Sequence, residues 1–337
     1  MDVTGQTAEL TAAIERTEPA PGGLLEAFLE LSKARLSALV LLTTAIGFVL
    51  ATRGPLDLEL LAWTLLGTAL AAFGANAFNQ CIEVERDARM DRTRGRPLPS
   101  GRLSRRTALA YSAIVGCVGP TILLLGVHPL AALLALLTEL IYVTLYTPMK
   151  VRSPLNTLVG AVCGALPPMI GWVAASGTLG TGAWILAAVL FVWQIPHFLA
   201  LAWMYREDYR AGGFRMLPVD DSDGELTCRA VVLYSMTLVP VTLMLTSAGV
   251  TGTVYAVGAA LLGVGFVALG IVLYWRRSVA AARRVFLASV LYLPILLALM
   301  VADRARPMES GFVQPLQSPT PVVFSLAEAS PHPGDGG

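Results

Sequence analysis

Hydrophobic residues in this chain fall in long blocks separated by short polar interruptions, with neither the two-residue alternation of strands nor the striped pattern of amphipathic surface helices. Nine blocks stand out, at about 36–52, 58–80, 106–126, 129–147, 156–175, 182–204, 229–249, 252–275 and 285–302. Each has the length of roughly 17–25 residues that carries a helix across a bilayer. Short turns such as Gly126-Val-His-Pro129 and Val250-Thr-Gly252 join neighbouring blocks. The pattern predicts an all-α, polytopic membrane protein with about nine transmembrane helices.

Charge placement tests that count. With nine spans, one side receives Arg16, Lys33, Arg35, eight arginines between Arg86 and Arg106, Lys150 and Arg152. The same side takes Arg206, Arg210, Arg215, Arg229, Arg276, Arg277, Arg283 and Arg284, leaving only Arg53, Arg304 and Arg306 opposite. The positive-inside rule makes the crowded side cytoplasmic, with the N-terminus there and the C-terminus outside.

Composition agrees: of 337 residues 55% are hydrophobic and 14% charged, with mean hydropathy +0.66 and net charge +1. These values exclude an ordinary soluble domain, and nothing points to nucleic acid. Residues 1–30 read as a cytoplasmic segment, too acidic at Asp2, Glu9, Glu15 and Glu18 for a transit peptide. Residues 31–303 form the membrane domain, and the proline-rich stretch 304–337 is expected to be a disordered tail. The four cysteines have no paired spacing, which argues against disulfides or a thiolate metal site.

Polar residues collect in two long loops, 83–105 and 205–228. The first continues the second span as Asn79-Gln-Cys-Ile-Glu83-Val-Glu-Arg-Asp87, then Arg92, Arg96-Pro-Leu-Pro-Ser-Gly-Arg102. On a helix each four-residue step drifts by roughly 40°, so Asn79, Glu83 and Asp87 share one face, with Asn76 a turn earlier. Oxygen donors on one face suit a hard cation such as Mg²⁺, and arginines beside them suit phosphate. Asn79, Glu83 and Asp87 are thus candidate metal ligands. Asn76, Arg92, Arg96, Arg102 and, from the opposite wall, Lys150 are candidates for holding a diphosphate. Glu85 and Arg86 point elsewhere on the helix and read as solvated, and the blander reading of the whole stretch is a solvated helix end with interfacial arginines that fix topology.

The sixth span carries Trp193-Gln-Ile-Pro-His197-Phe and continues towards Glu207-Asp208. On one unbroken helix His197 and Asp208 would share a face, roughly 16 Å apart along the axis. A histidine deep in the membrane is a functional candidate, with a hydrogen bond to a neighbouring helix as the plainer alternative. Pro196 is expected to interrupt the helical bonding beside it. Glu139 is a second buried carboxyl, open to a structural or functional role, whereas His128 reads as a turn residue.

Four blocks together resemble a known family. They are Asn79-x3-Glu83-x3-Asp87-x2-Met90-x-Arg92-Thr-x-x-Arg96-Pro-Leu-Pro-x-Gly101; Tyr146-Thr-Pro-x-Lys150 with Asn156-Thr, Gly160, Gly164-Ala-x-Pro-Pro168 and Gly171-Trp; Trp193-Gln-x-Pro-His197-Phe with Asp208-Tyr-x-x-Ala-Gly212 and Met216-Leu-Pro-Val; and Ala282-Arg-x-x-Phe286 with Ser289 and Tyr292-Leu. Over about 30–303 the chain resembles the UbiA superfamily of intramembrane prenyltransferases, and within it the protohaem IX farnesyltransferase (haem O synthase) branch. The resemblance implies a helical bundle around a central cavity capped on the cytoplasmic side. It implies an Mg²⁺-dependent enzyme that binds farnesyl diphosphate and haem b in the lipid bilayer of a bacterial inner membrane. Transfer of farnesyl to a haem vinyl group, with water addition, would give haem O for terminal oxidase biogenesis, with haem-modifying or oxidase assembly proteins downstream. Asn79, Glu83 and Asp87 take the role of the first acidic motif, and Asp208 stands in a sparse second one. His197 becomes a candidate haem contact, and Tyr142, Tyr146, Trp172 and Trp193 candidate cavity walls. The competing readings are a UbiA-type enzyme acting on a quinone precursor and a nine-span transporter or haem carrier.

Overall fold

The computed structural model describes residues 23–305, which are helical nearly throughout. The expectations for the extreme N-terminal segment and for the tail beyond Ala305 lie outside the described residues. A short helix α1 (Leu24–Leu31) precedes α2 (Ala34–Ala51), α3 (Leu58–Asp87), α4 (Arg105–Gly126) and α5 (Pro129–Leu140). α5 runs on through a π-helical turn, Ile141–Tyr146, into α6 (Thr147–Met149). There follow α7 (Asn156–Ser176), α8 (Thr181–Met204), two short helices α9 (Arg206–Ala211) and α10 (Leu217–Asp220), then α11 (Glu225–Ser247), α12 (Thr253–Arg276) and α13 (Val279–Ala302).

Among the described residues nine helical stretches are long and apolar enough to cross a membrane, one for each hydrophobic block. Local chemistry sets their ends. Asp57 caps α3 by accepting the Leu60 N–H (2.9 Å), and Ser104 and Ser278 cap α4 and α13 in the same way. His128 caps α5 through Nδ1, ahead of a proline at the first helical position. α8 runs through Pro196 without a break, contrary to the interruption expected there. The lost N–H is tolerated because neighbouring helices bury that part of α8.

α8 is the most buried span and the axis of the bundle. One apolar core joins α8 to α11, α12 and α13, and a second joins α4, α5 and α7. Glycines set the closest approaches. A Cβ on Gly47 of α2 would overlap the Pro168 carbonyl of α7, and one on Gly171 of α7 would overlap the Thr44 carbonyl of α2. These two helices pack backbone against backbone, as small residues permit in a membrane. α1 lies against the bundle through Ala27 and Leu31, which pack with Ala77, Cys81, Leu98, Leu103 and Ala108. Gln80 fixes it by donating to the Glu30 and Leu31 carbonyls. At the opposite end Arg304 donates to the Val49 carbonyl (2.6 Å), and Asp303 accepts the Tyr255 N–H (2.7 Å).

Candidate active site

α3 has 30 residues, more than the roughly 20 a bilayer needs, so its last turns rise beyond the apolar zone and carry Asn79, Glu83 and Asp87. All three are buried, at 0%, 4% and 1% exposure. Cationic side chains converge on them. Lys150 Nζ lies 2.8 Å from Glu83 Oε1 and 3.1 Å from Oε2, and sits over the Tyr146 ring. Burial opposes the charge on Lys150, but Glu83 more than offsets it and the ammonium is held well above its ordinary pKa. Arg96 donates to Asp87 Oδ2 at 2.6 Å, while Asp87 Oδ1 is buried with no hydrogen-bond partner. The Thr93 hydroxyl donates to the Asp87 carbonyl and folds the loop back over the helix end.

Lys33 is the site residue that the sequence reading missed. Its Nζ donates to Asn79 Oδ1 at 2.7 Å, across 46 positions of chain. Burial first, then the neighbouring Arg96 and Lys150, bring its pKa down to about 7, against the pull of Glu83 and Asp87.

Lys33, Glu83, Asp87, Arg96 and Lys150 close one end of a cavity of about 410 Å³, with Asn79 behind that wall, where its amide donates to the Thr147 hydroxyl. Its walls come from α2, α3, α5, the π-helical turn, α7, α8 and α13, and include Thr138, Tyr142, Tyr146, Trp193, His197 and Phe286. Trp172 is not on them; its ring packs instead over Gly182 at the start of α8. Arg92 lines the mouth, over the rings of Tyr205 and Tyr209 (5.4 and 5.5 Å). His197 lies on the wall well below, stacked on Trp193 with ring centroids 5.1 Å apart.

Three expected residues behave differently. Arg102 turns away from the cavity and pairs with Glu30 of α1 and the Gly95 carbonyl, because α1 offers it a carboxylate. Asn76 borders the cavity, but its amide donates to the Ser32 carbonyl and Ser37 hydroxyl while its oxygen accepts from Tyr142. Asp208 does not continue the helix of His197: α8 ends at Met204, Tyr205 breaks the path (φ −114°, ψ 26°), and Asp208 belongs to α9. There its carboxylate accepts the Asp91 N–H at 2.9 Å, with the Arg92 Nε 4.0 Å away. It ties one loop to the other.

Arg86, read as solvated, donates to the Gly212 and Gly213 carbonyls and lies over Phe214. The Arg215 N–H donates to the Lys150 carbonyl (2.6 Å), and Asn156 donates to the Arg215 carbonyl (2.9 Å). The loops after the second, fourth and sixth spans therefore form one cap. Glu139 is not on the cavity wall; its Oε1 is buried without a partner against Gly74 and Gly116.

Residues 40–294 match the model of the UbiA prenyltransferase family. The chain belongs to that family. A UbiA-family relative from Solibacter usitatus, named protoheme IX farnesyltransferase, is 44% identical over 286 residues, covering 82% of this chain and 98% of its own. A relative of the same name from Opitutus terrae is 43% identical over 291 residues, covering 86% and 98%. The UbiA fold is matched by a digeranylgeranylglyceryl phosphate synthase, at TM-score 0.71, 18% identity and coverage of 83% and 98%. A UbiA homologue from Archaeoglobus fulgidus bound to GPP and Mg²⁺ matches at TM-score 0.57 and 15% identity, covering 81% and 99%.

Proposed function

We propose that the protein transfers the farnesyl group of farnesyl diphosphate to a vinyl group of haem b and adds water, giving haem O. The observation that carries this reading is the two-ended cavity. A cluster of buried carboxylates and cations closes its cap end, and an imidazole among aromatic rings stands on its apolar wall below. The relatives named protoheme IX farnesyltransferase supply the substrates that suit those two ends.

Asn79, Glu83 and Asp87 would hold magnesium. Glu83 and Asp87 present carboxylates to the cavity, Asp87 Oδ1 is a buried acceptor without a partner, and Asn79 Oδ1, held by the Lys33 ammonium, would have to exchange that partner for the ion. Magnesium takes few protein ligands and completes its shell with substrate phosphates and water. Magnesium bound there supplies positive charge against a departing diphosphate. Arg96, Lys150, Lys33 and Arg92 add to that charge, fixed in place before the reaction.

The C1–O bond of the farnesyl diphosphate breaks, and its electron pair leaves with the diphosphate. The vinyl π pair forms the new bond to C1. The cation left beside the porphyrin takes the oxygen of a water molecule, which gives up a proton. Tyr142, Tyr146 and the apolar walls below them keep water from the first cation until the carbon–carbon bond has formed. The excess of basic residues in the cap loops supports a cytoplasmic position for the cap, and the bacterial relatives support a bacterial cell membrane.

The test is Asp87→Ala in detergent, with saturating Mg²⁺ and farnesyl diphosphate, following haem O formation and diphosphate release. We expect a loss of at least about a hundredfold, the scale on which single charge-stabilising groups act. The parental rate in a folded variant would reject the site, and turnover of 4-hydroxybenzoate in preference to haem b would reject the substrate.

A further inference from the structure

The hydrogen bonds around His197 determine which of its nitrogens carries the proton. His197 Nδ1 is 2.7 Å from the Oγ of Ser289 on α13. The same Oγ is 2.6 Å from the Phe286 carbonyl oxygen. A serine hydroxyl has one hydrogen, and a carbonyl can only accept. The hydrogen is therefore committed to Phe286, and Ser289 meets the imidazole with a lone pair. Nδ1 must be the donor. A neutral imidazole has one N–H, so Nε2 keeps its lone pair.

The surroundings hold the ring in that setting. Trp193 stacks on it, and the rings of Phe286 and Phe198 lie 4.9 and 5.3 Å from it, centroid to centroid. Trp193 Nε1 donates to the backbone carbonyl of Ser289 at 3.1 Å, so a single residue of α13 fixes both rings of α8. Ser289 itself is fully buried. Among the described residues no side chain or carbonyl bonds Nε2, and no carboxylate lies within ion-pair distance of the ring, which stands on the cavity wall.

We infer that Ser289 is a positioning residue: it holds His197 as the Nδ1–H tautomer, so that Nε2 faces the porphyrin substrate as a lone-pair donor and ligates the haem iron. The inference rests on the haem reading above and gives it an atom. A hydrogen bond to the far nitrogen of a ligating imidazole sets both its orientation and its basicity, and losing it costs on the order of 10–100-fold in metal affinity. It also excludes a neutral His197 from donating through Nε2 to a haem carboxylate.

Two measurements on the full-length protein in detergent test this. In substrate-free protein labelled with ¹⁵N-histidine, His197 should give the Nδ1–H pattern, assigned by its absence from His197→Gln. Ser289→Ala should mix the two tautomers and Ser289→Thr should preserve the first. In titrations with ferric haem b, Ser289→Ala should weaken binding by at least about tenfold and shift the Soret band, with farnesyl diphosphate affinity unchanged and Ser289→Thr close to the parent. An Nε2–H pattern in the parent protein, or a folded Ser289→Ala with parental tautomer and haem spectrum, would overturn the role of Ser289. The expected tautomer in a parent protein that does not bind haem would instead sink the haem reading and the iron contact with it.

Discussion

Lys33 adopts a left-handed backbone (φ 48°, ψ 50°) that a lysine rarely takes. Such a conformation persists only where its surroundings hold it, and it is characteristic of functional sites. Here it turns the chain into α2 and sends the ammonium onto Asn79, at the end of the cavity where anionic substrate groups would lie. Removing the ammonium should cost diphosphate binding selectively. We expect Lys33→Met to raise KM for farnesyl diphosphate about tenfold or more, in line with the ~1.5–3 kcal/mol of hydrogen bonds to charged groups, and to leave haem affinity alone. Equal kinetics in parent and variant would make Lys33 a topological anchor only. That plainer role is all the sequence suggests, because only the packing of α2 against α3 brings Lys33 to Asn79. Arg96, by contrast, is legible: it lies nine positions from Asp87, on the loop that leaves the same helix.

At the scale of elements, the cap is built from loops that the sequence keeps far apart. Asp208 holds the Asp91 N–H, Arg86 holds the Gly212 and Gly213 carbonyls, and Arg215 holds Lys150 through the backbone. Asp208→Ala should therefore loosen loop 88–102. Trypsin should cut it faster after Arg89 or Arg94, and KM for farnesyl diphosphate should rise. Were Asp208 a metal ligand, the variant would instead need more Mg²⁺ and keep the parental cleavage rate. Hydropathy located all nine spans, because an apolar run long enough to cross a bilayer has few alternatives, but it fell short where α3 runs on through polar residues to Asp87 and where α13 starts ahead of Arg283 at Val279. It ended the sixth span at 204, where α8 ends, but the sequence reading carried the helix on to Asp208 and so missed the break at Tyr205, which neither glycine nor proline marks. The clustering of arginines sent Arg102 to the substrate as well, since the docking of α1, and with it Glu30, depends on contacts spread over the bundle.

For the whole molecule, the proposed orientation rests on where the basic residues lie, and it can be checked directly. A cysteine replacing Ser100 should react with an impermeant reagent only from the cytoplasm, and one replacing Thr178 only from outside; labelling of both from one face would reject the topology. The π-helical turn carries a different consequence. At Ile141–Tyr146 the Thr147 N–H reaches back five residues, to the Tyr142 carbonyl, placing an extra residue in the turn. That extra residue counters the roughly 40° drift of each four-residue step, and Thr138, Tyr142, Tyr146 and Lys150 all reach the same cavity. The span thus works like a combination lock whose setting is a residue count. Deleting one residue from the turn would leave an excellent membrane helix, with unchanged hydropathy and charge. It would also swing everything beyond the deletion by about 100° and carry Lys150 away from Glu83. In this stretch, length itself is chemical information.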